Sequence, residues 1–258
     1  MKRKAIITSI SSLKLTQKEE LLLRDKRPWG IILFKRNIKN FHQLKNLTSH
    51  IRYIMKDKRY PIMVDEEGGN VSRLSNLIDT SSFSQKFFGD LFEKNKNFAL
   101  SSYKEYLYFT CGLLKKCGIN INTIPVLDIL KNETHDVIGD RSYSKNVKTI
   151  NILKKTCFET LNRFKIGSVS KHIPGHGSSK VDTHKKVSVI SLSLKKLFNQ
   201  DFNIFKNIDS KFVMTAHIIY KRVDPINTAT HSKIVIKNII RKRLMFKGIV
   251  ISDDISMK

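Results

Sequence analysis

The chain has 258 residues and a formal net charge of +26, from 48 Lys and Arg against 22 Asp and Glu, and 40% of its residues are hydrophobic. This length suits one domain with a sizeable core, so we expect a single domain over residues 1–258. The basic residues are spread through every segment instead of forming a stripe or tail, so nucleic acid is not the expected partner, although an anionic ligand remains compatible with the charge.

Cysteine usage and the N-terminus indicate the compartment. Cys111, Cys117 and Cys157 form no C-x-x-C pair and are odd in number, which predicts neither a disulfide framework nor a zinc knuckle. The apolar run behind the basic N-terminus stops at Thr8, too early for a secretory signal. No apolar run of about 20 residues occurs that would span a membrane. We therefore expect a cytoplasmic protein with no membrane partner.

The first two units of the chain alternate strand and helix. Ala5–Ile10 is rich in β-branched residues and predicts a strand, and the capping box Thr16–Glu19 begins a helix that continues through Leu23. Gly30–Phe34 predicts the second strand, and Asn40 caps an amphipathic helix after it. The pattern therefore begins as two β-α units.

The same alternation continues through the rest of the chain. The further predicted strands cover residues 60–64, 119–124, 166–170, 212–216 and 248–251. The further predicted helices cover residues 98–117, 150–164, 194–208 and 234–244. Apolar strands without clean alternation, separated by amphipathic helices, are typical of a parallel sheet that is buried on both faces. The order and the length predict an α/β fold, a TIM-type (β/α)₈ barrel, for which about 250 residues is usual.

Polar residues recur where the predicted strands end. Asp65 follows the third strand and Asp128 the fourth; after the fifth, sixth and seventh come Lys171 with His172, His217, and Asp253. All these strand ends open on one face of a parallel barrel. Residues far apart in the sequence are therefore expected to line one pocket.

The densest polar cluster is Lys171–Gly177 with Asp182 and His184 just behind it. Gly175 and Gly177 allow the main chain of this stretch to approach a ligand closely. A histidine here could also be an ordinary one bonded to backbone, since short motifs give false positives. The number of polar groups in one loop favours a ligand site over that interpretation.

The heptapeptide KHIPGHG at 171–177, followed by Asp182 and His184, resembles the signature of glycoside hydrolase family 3, specifically its bacterial cell-wall-recycling β-N-acetylhexosaminidases. Further segments match in the same order: GIILFKRN at 30–37, VDEEGGNVSRL at 64–74, PVLDI at 125–129, GDRSYS at 139–144, VMTAHIIY at 213–220 and SDDISM at 252–257. The resemblance implies a retaining exo-β-N-acetylhexosaminidase that releases terminal non-reducing GlcNAc from peptidoglycan-derived muropeptides through a covalent glycosyl-aspartate intermediate. It implies no metal or organic cofactor.

The same resemblance assigns the catalytic groups. Asp253 matches the nucleophile, and its neighbour Asp254 is the alternative. His184, paired with Asp182, matches the group that transfers the proton. Imidazole titrates near neutrality, so a histidine can serve as acid and then as base with little tuning.

The positions that match the substrate-binding residues can donate to or accept from sugar hydroxyls and the acetamido group. They are Asp65, Arg73, Arg141, Lys171 and His172. Glu66 and Glu67 are expected to orient their loop, and Asp128 and His217 to have structural or supporting roles.

The sequence departs from the family pattern at two places. Asn70 stands where the family usually has arginine, which removes a cation from the rim of the pocket. The sequence reaches Lys258 directly after the seventh strand, so the resemblance predicts a barrel that is incomplete at its C-terminus, with open sheet edges.

Two other interpretations remain open. A metal-dependent barrel hydrolase could use His172, His176, His184 and Asp182, because neutral imidazoles suit zinc. A catalytically inactive remnant could persist as a basic binding protein, and steep salt-dependent binding of RNA would favour it.

Overall fold

The computed structural model describes residues 2–131, 138–179 and 187–256 and is built on a parallel sheet of seven strands. These strands are β1 (Lys4–Thr8), β2 (Pro28–Leu33), β3 (Ile62–Val64), β4 (Ile121–Asn122), β5 (Gly167–Ile173), β7 (Phe212–Thr215) and β9 (Ile249–Ser252). They lie side by side in chain order, and every neighbouring pair is parallel. The prediction of an α/β, TIM-type fold with seven successive strands is confirmed.

Helices connect these strands and cover one face of the sheet. They are α1 (Gln17–Lys26), α2 (Phe41–Met55), α3 (Gln85–Lys94), α4 (Lys96–Lys116), α5 (Val147–Phe164), α6 (Leu194–Gln200) and a π-helix (Val235–Arg243). Two of these helices have the N-caps that the sequence indicated: the hydroxyl of Thr16 caps α1 within a capping box, and Asn40 caps α2. None of the helices in the described part of the chain is long and apolar enough to cross a membrane.

The structure differs from the predicted elements in three places. The helix predicted over residues 194–208 ends at Gln200, because Asp201 leaves helical geometry and turns its buried side chain towards Lys131. A short 3₁₀ helix, Phe202–Phe205, follows. The sequence pattern also missed α3 and a separate parallel pair of short strands, β6 (Ser188–Ile190) and β8 (Ile218–Tyr220).

The two faces of the sheet bury two different apolar clusters. The face towards the helices belongs to the main core, with side chains such as Ile31, Val64 and Val213. The opposite, concave face carries a smaller inner cluster that is built on Met63, Ile121, Val169, Phe212 and Met214, with Ile251 packed against it. Because side chains alternate along a strand, β2, β3, β5, β7 and β9 each contribute to both clusters. The site described below lies directly above the inner cluster.

Replacement of two helical glycines by alanine is expected to have opposite effects on stability. A Cβ at Gly89 in α3 would overlap the backbone carbonyl of Tyr143, whereas a Cβ at Gly112 in α4 would lie 3.8 Å from its nearest neighbour, in Phe164. We expect Gly89→Ala to lower the free energy of unfolding by about 1–3 kcal/mol through overpacking. Gly112→Ala should raise it by roughly 0.5–1 kcal/mol, because alanine favours the helix. Urea denaturation of both variants measures this, and equal effects would contradict it.

Candidate active site

The alternation of side chains along the strands places the polar residues of the site in a layer above the inner cluster. Met63, Ile121, Val169 and Ile251 point to the concave side of the sheet. Two positions further along the same four strands come Asp65, Thr123, Lys171 and Asp253. A step of two residues returns to the same face. A layer of apolar side chains is therefore followed by a layer of polar side chains, at the carboxyl ends of the strands.

Asp65 and Lys171 are bonded to each other within this layer. The Nζ of Lys171 lies 3.3 Å from Oδ1 of Asp65 and 2.8 Å from Oγ1 of Thr123. Thr123 also donates to the carboxylate of Asp65. Arg73 approaches the other oxygen of this carboxylate at 3.6 Å. The structure thus brings together three of the five residues predicted to bind substrate.

Glu67 joins the two most buried cations of the site, which the sequence did not indicate. One carboxylate oxygen lies 2.6 Å from Nζ of Lys171, and the two oxygens accept from Nε and a terminal nitrogen of Arg141 at 2.8 and 2.9 Å. Its side chain is only 1% exposed. Glu67 therefore differs from its predicted role, because its carboxylate orients Lys171 and Arg141 instead of its own loop.

Glu66, in contrast, orients the loop as predicted. Its carboxylate accepts from the backbone N–H groups of Arg73 and Leu74, both at 2.9 Å, and from the hydroxyls of Ser72 and Thr80. These bonds fold the segment after β3 back on itself. Arg73 is thereby held over the pocket.

The charges of the site are matched although the side chains are buried. Burial alone would raise the pKa of the Asp65 carboxyl, but the positive charge of Lys171, the bond from Thr123 and Arg73 hold it well below its ordinary value. Burial would likewise raise the pKa of Glu67, and Arg141 and Lys171 lower it to about 2. Both carboxylates are therefore ionised at neutral pH.

His172 is held in one orientation by Asp128. Its Nδ1 lies 2.6 Å from Oδ2 of Asp128, and the same carboxylate accepts from the backbone N–H groups of His172 and His176. The other ring nitrogen, Nε2, lies 3.4 Å from a terminal nitrogen of Arg141. A guanidinium only donates, so Nε2 accepts and the proton lies on Nδ1. Asp128 thus has the supporting role predicted for it, and it orients the imidazole of His172 towards the pocket.

Asp253 follows β9 and reaches the same pocket. Its Oδ2 lies 3.9 Å from Nε2 of His172, and its side chain is 24% exposed. Its second oxygen accepts from the backbone N–H of Asp254, which turns the side chain of Asp254 away into a bond with Ser256. The predicted nucleophile therefore shares the pocket, while its neighbour is engaged in a turn.

The predicted proton-transfer pair, Asp182 and His184, lies outside the described residues, so its assignment stays a prediction. The described loop that leads to it, after β5, is tightly packed. A Cβ at Gly175, whose φ is +146°, would meet the side chain of Asp201 at 2.7 Å. Only glycine fits this position without displacing a neighbour.

The rim position at Asn70 carries a hydrogen bond. Its amide nitrogen donates to Oδ2 of Asp140 at 3.0 Å. Asn70 therefore links the loop after β3 to the turn that contains Arg141.

The histidines proposed for a metal site are only partly described. The rings of His172 and His176 lie 5.5 Å apart between centroids and are tilted by 59°. Burial lowers the pKa of His176 to about 4, so this imidazole is neutral. Within the described residues no group of three His, Cys, Asp or Glu side chains is arranged to hold a metal ion. Since Asp182 and His184 are not among them, the metal interpretation stays an alternative prediction.

The ionised state of Glu67 predicts a measurable dependence of stability on pH. Its folded-state pKa of about 2 lies below its ordinary value of 4.5, so the stability that it contributes is complete above pH 4.5 and is lost as the pH falls towards 2. Wild type should lose up to about 1.4 kcal/mol of unfolding free energy more per pH unit below 4.5 than Glu67→Gln.

Urea denaturation at pH 6 and pH 3.5 measures this difference. Glu159→Gln is the matched control, since this glutamate lies on α5 with its side chain 66% exposed. The control should keep the wild-type pH dependence. A Glu67→Gln variant that shows the wild-type pH dependence as well would contradict the prediction.

Comparison with known proteins identifies related chains. Residues 4–258 match the model of the glycosyl hydrolase family 3 N terminal domain. A β-hexosaminidase of Nitrosomonas eutropha is 31% identical over 256 residues, which cover 98% of this chain and 72% of that protein. The crystal structure of NagZ from Neisseria gonorrhoeae in complex with N-trifluoroacetyl-D-glucosamine is 32% identical and superposes with a TM-score of 0.89, over 99% of this chain and 75% of that one. A family 3 β-N-acetylglucosaminidase from Paenibacillus is 26% identical with a TM-score of 0.88, over 98% of this chain and 48% of that one.

Proposed function

This chain belongs to glycoside hydrolase family 3 and is a glycoside hydrolase of the β-hexosaminidase type, and from that premise we propose that it removes terminal non-reducing β-linked GlcNAc from muropeptides, with retention of configuration, through a glycosyl-aspartate intermediate. The observation that carries the proposal is the position of Asp253. It lies 3.9 Å from His172, in the pocket that also contains the Asp65, Lys171 and Arg141 side chains.

Binding of the sugar is assigned to the charged network. Asp65 accepts from hydroxyl groups, while Lys171, Arg141 and Arg73 donate to hydroxyls and to the acetamido carbonyl. His172 directs its Nε2 towards the same pocket. Because Glu67 and Asp128 already fix these side chains, little conformational entropy is lost when the sugar binds.

The first chemical step forms the covalent intermediate. A carboxylate oxygen of Asp253 attacks the anomeric carbon and forms a bond to it, as the bond from this carbon to the leaving oxygen breaks. His184, held by Asp182, gives its proton to that oxygen, so the aglycone leaves as a neutral alcohol. The products of this step are the glycosyl ester of Asp253 and a neutral His184.

The second step returns the enzyme to its starting state. His184 takes a proton from water while the water oxygen attacks the anomeric carbon, and the bond to the Asp253 oxygen breaks. Two inversions at one carbon give overall retention. GlcNAc leaves as the β-anomer, Asp253 is again a carboxylate and His184 is again protonated.

We also propose a cytoplasmic location. Cys111, Cys117 and Cys157 are all buried free thiols. Thiols of this kind are kept reduced in the cytoplasm, where disulfides are rare.

The experiment that tests the reaction follows the product directly. Purified protein is given p-nitrophenyl β-GlcNAc and, separately, a GlcNAc-containing muropeptide, and the anomeric proton of the released sugar is recorded by NMR before mutarotation. We expect release of p-nitrophenol and of GlcNAc, with the β-anomer appearing first. The matched control substrate is p-nitrophenyl β-glucoside, which lacks the acetamido group and should react much more slowly. First appearance of the α-anomer, or no release of sugar, would overturn the proposal.

A further inference from the structure

We propose that His217 is a positioning residue for the nucleophile, through a hydrogen-bonded relay that ends on the backbone next to Asp253. His217 follows β7, in the connection to β8. Its Nε2 lies 3.1 Å from the backbone carbonyl oxygen of Asp254, in a hydrogen bond at the surface. The inference rests on the proposed function, because it assigns His217 a part in the same reaction.

His217 is hydrogen-bonded through both of its ring nitrogens. A carbonyl oxygen only accepts, so Nε2 of His217 is the donor to Asp254. Its Nδ1 lies 3.0 Å from Oγ1 of Thr230 and, in the neutral imidazole, accepts from that hydroxyl. Oγ1 of Thr230 in turn lies 2.9 Å from Oγ1 of Thr215, the last residue of β7. A chain of hydrogen-bonded groups therefore runs from Thr215 through Thr230 and His217 to the carbonyl of Asp254.

The position of β9 explains why such a link matters. Among the described residues β9 pairs with β7 and ends at the exposed Ser252. Asp253 and Asp254 follow it and belong to no strand. The relay joins this segment to Thr215, which is buried at the end of β7. A fixed carbonyl at Asp254 limits the backbone rotations that would swing Asp253 away from His172.

The geometry of attack makes the reaction sensitive to small displacements. A nucleophile must be held about 3–3.5 Å from its target with the orbitals aligned, and a shift of 1 Å can reduce the rate about a hundredfold. Sugar binding depends on other residues, since Asp65, Lys171 and Arg141 belong to other segments of the chain. Loss of the relay should therefore lower kcat and leave the affinity for the sugar nearly unchanged.

The test uses four variants of the full chain. His217→Ala removes the donor to Asp254, His217→Gln retains an N–H donor at a similar reach, and Thr230→Val removes the middle hydroxyl. Thr228→Val is the matched control, because Thr228 is a half-buried threonine of the same loop whose hydroxyl bonds His231 instead. We measure kcat on p-nitrophenyl β-GlcNAc, the Kd for GlcNAc, and amide hydrogen exchange of residues 253–256.

We expect kcat to fall about tenfold or more in His217→Ala and a few fold in Thr230→Val, with the Kd for GlcNAc changed by less than about threefold. His217→Gln should recover most of the rate, and Thr228→Val should match wild type. Hydrogen exchange at residues 253–256 should rise in His217→Ala. It should stay at the wild-type level in His217→Gln and in Thr228→Val.

Other outcomes decide against the inference in distinct ways. An unchanged kcat in His217→Ala overturns it, and so does an equal loss of kcat, GlcNAc affinity and melting temperature, which would show a purely structural role. If wild type releases no sugar, the proposed function fails, and with it the catalytic part of this inference. The exchange measurement then tests only whether the relay restrains residues 253–256. If His217→Ala and Thr228→Val show equal exchange there, the relay does not restrain them.

Discussion

Replacing Asp253 by alanine is expected to lower kcat on p-nitrophenyl β-GlcNAc by at least about a thousandfold, because no group remains to form the glycosyl ester. The Kd for GlcNAc should change little, since the sugar-binding charges come from other strand ends. The variant should also fold normally, because the Asp253 side chain is 24% exposed. Steady-state kinetics, calorimetric binding and a melting curve give the three quantities.

Rescue by azide makes this expectation specific to a nucleophile. In Asp253→Ala the azide ion can occupy the space of the carboxylate, attack the anomeric carbon from the same side and displace p-nitrophenolate. The product is then the α-glycosyl azide, formed by a single inversion. Asp254→Asn is the control, because that side chain is turned towards Ser256. If Asp254→Asn loses activity while Asp253→Ala retains it, the two aspartates have been assigned in the wrong order.

The sequence predicted the part of the fold that depends on local pattern. Apolar runs at regular spacing located all seven strands of the main sheet, because a strand that is buried on both faces consists mostly of apolar residues. The end of α6 escaped prediction because Asp201 interrupts an otherwise helical pattern. Asp201 leaves helical geometry where its carboxylate bonds to Lys131, 70 residues away in the chain. No local signal reports such a contact.

Part of the candidate site was also predictable from the sequence. The strand ends located Asp65, Lys171 and Asp253, and the family resemblance located Arg73 and Arg141. Thr123 was missed, although the alternation along β4 places it on the inner face with Ile121, so period-two counting past the strand end would have found it. Glu67 could not have been assigned in this way. Its partners are set by the tertiary arrangement of two different loops.

The importance of that arrangement is clearest for Lys171, whose replacement by methionine should cost the most stability. Methionine has a similar length but no charge, so Asp65 and Glu67 would lose the cation that lies between them, at 3.3 and 2.6 Å. Removing one member of a buried ion pair typically costs 3–5 kcal/mol, because the remaining charge stays buried. For a chain of this size we expect the melting temperature to fall by roughly 10 °C. Binding of GlcNAc should weaken as well.

A second substitution separates charge from packing. Glu67→Gln removes one of the two carboxylates that Lys171→Met leaves without this cation, so the double variant should be destabilised by less than the sum of the single variants, by about 1–3 kcal/mol. Lys155→Met is the control, since that lysine is 77% exposed on α5 and its pair with Glu159 should contribute less than about 1 kcal/mol. Additive effects of the two buried substitutions would mean that Lys171 and Glu67 do not stabilise each other. The layer above the inner cluster would then be held by packing, and its matched charges would serve substrate binding alone.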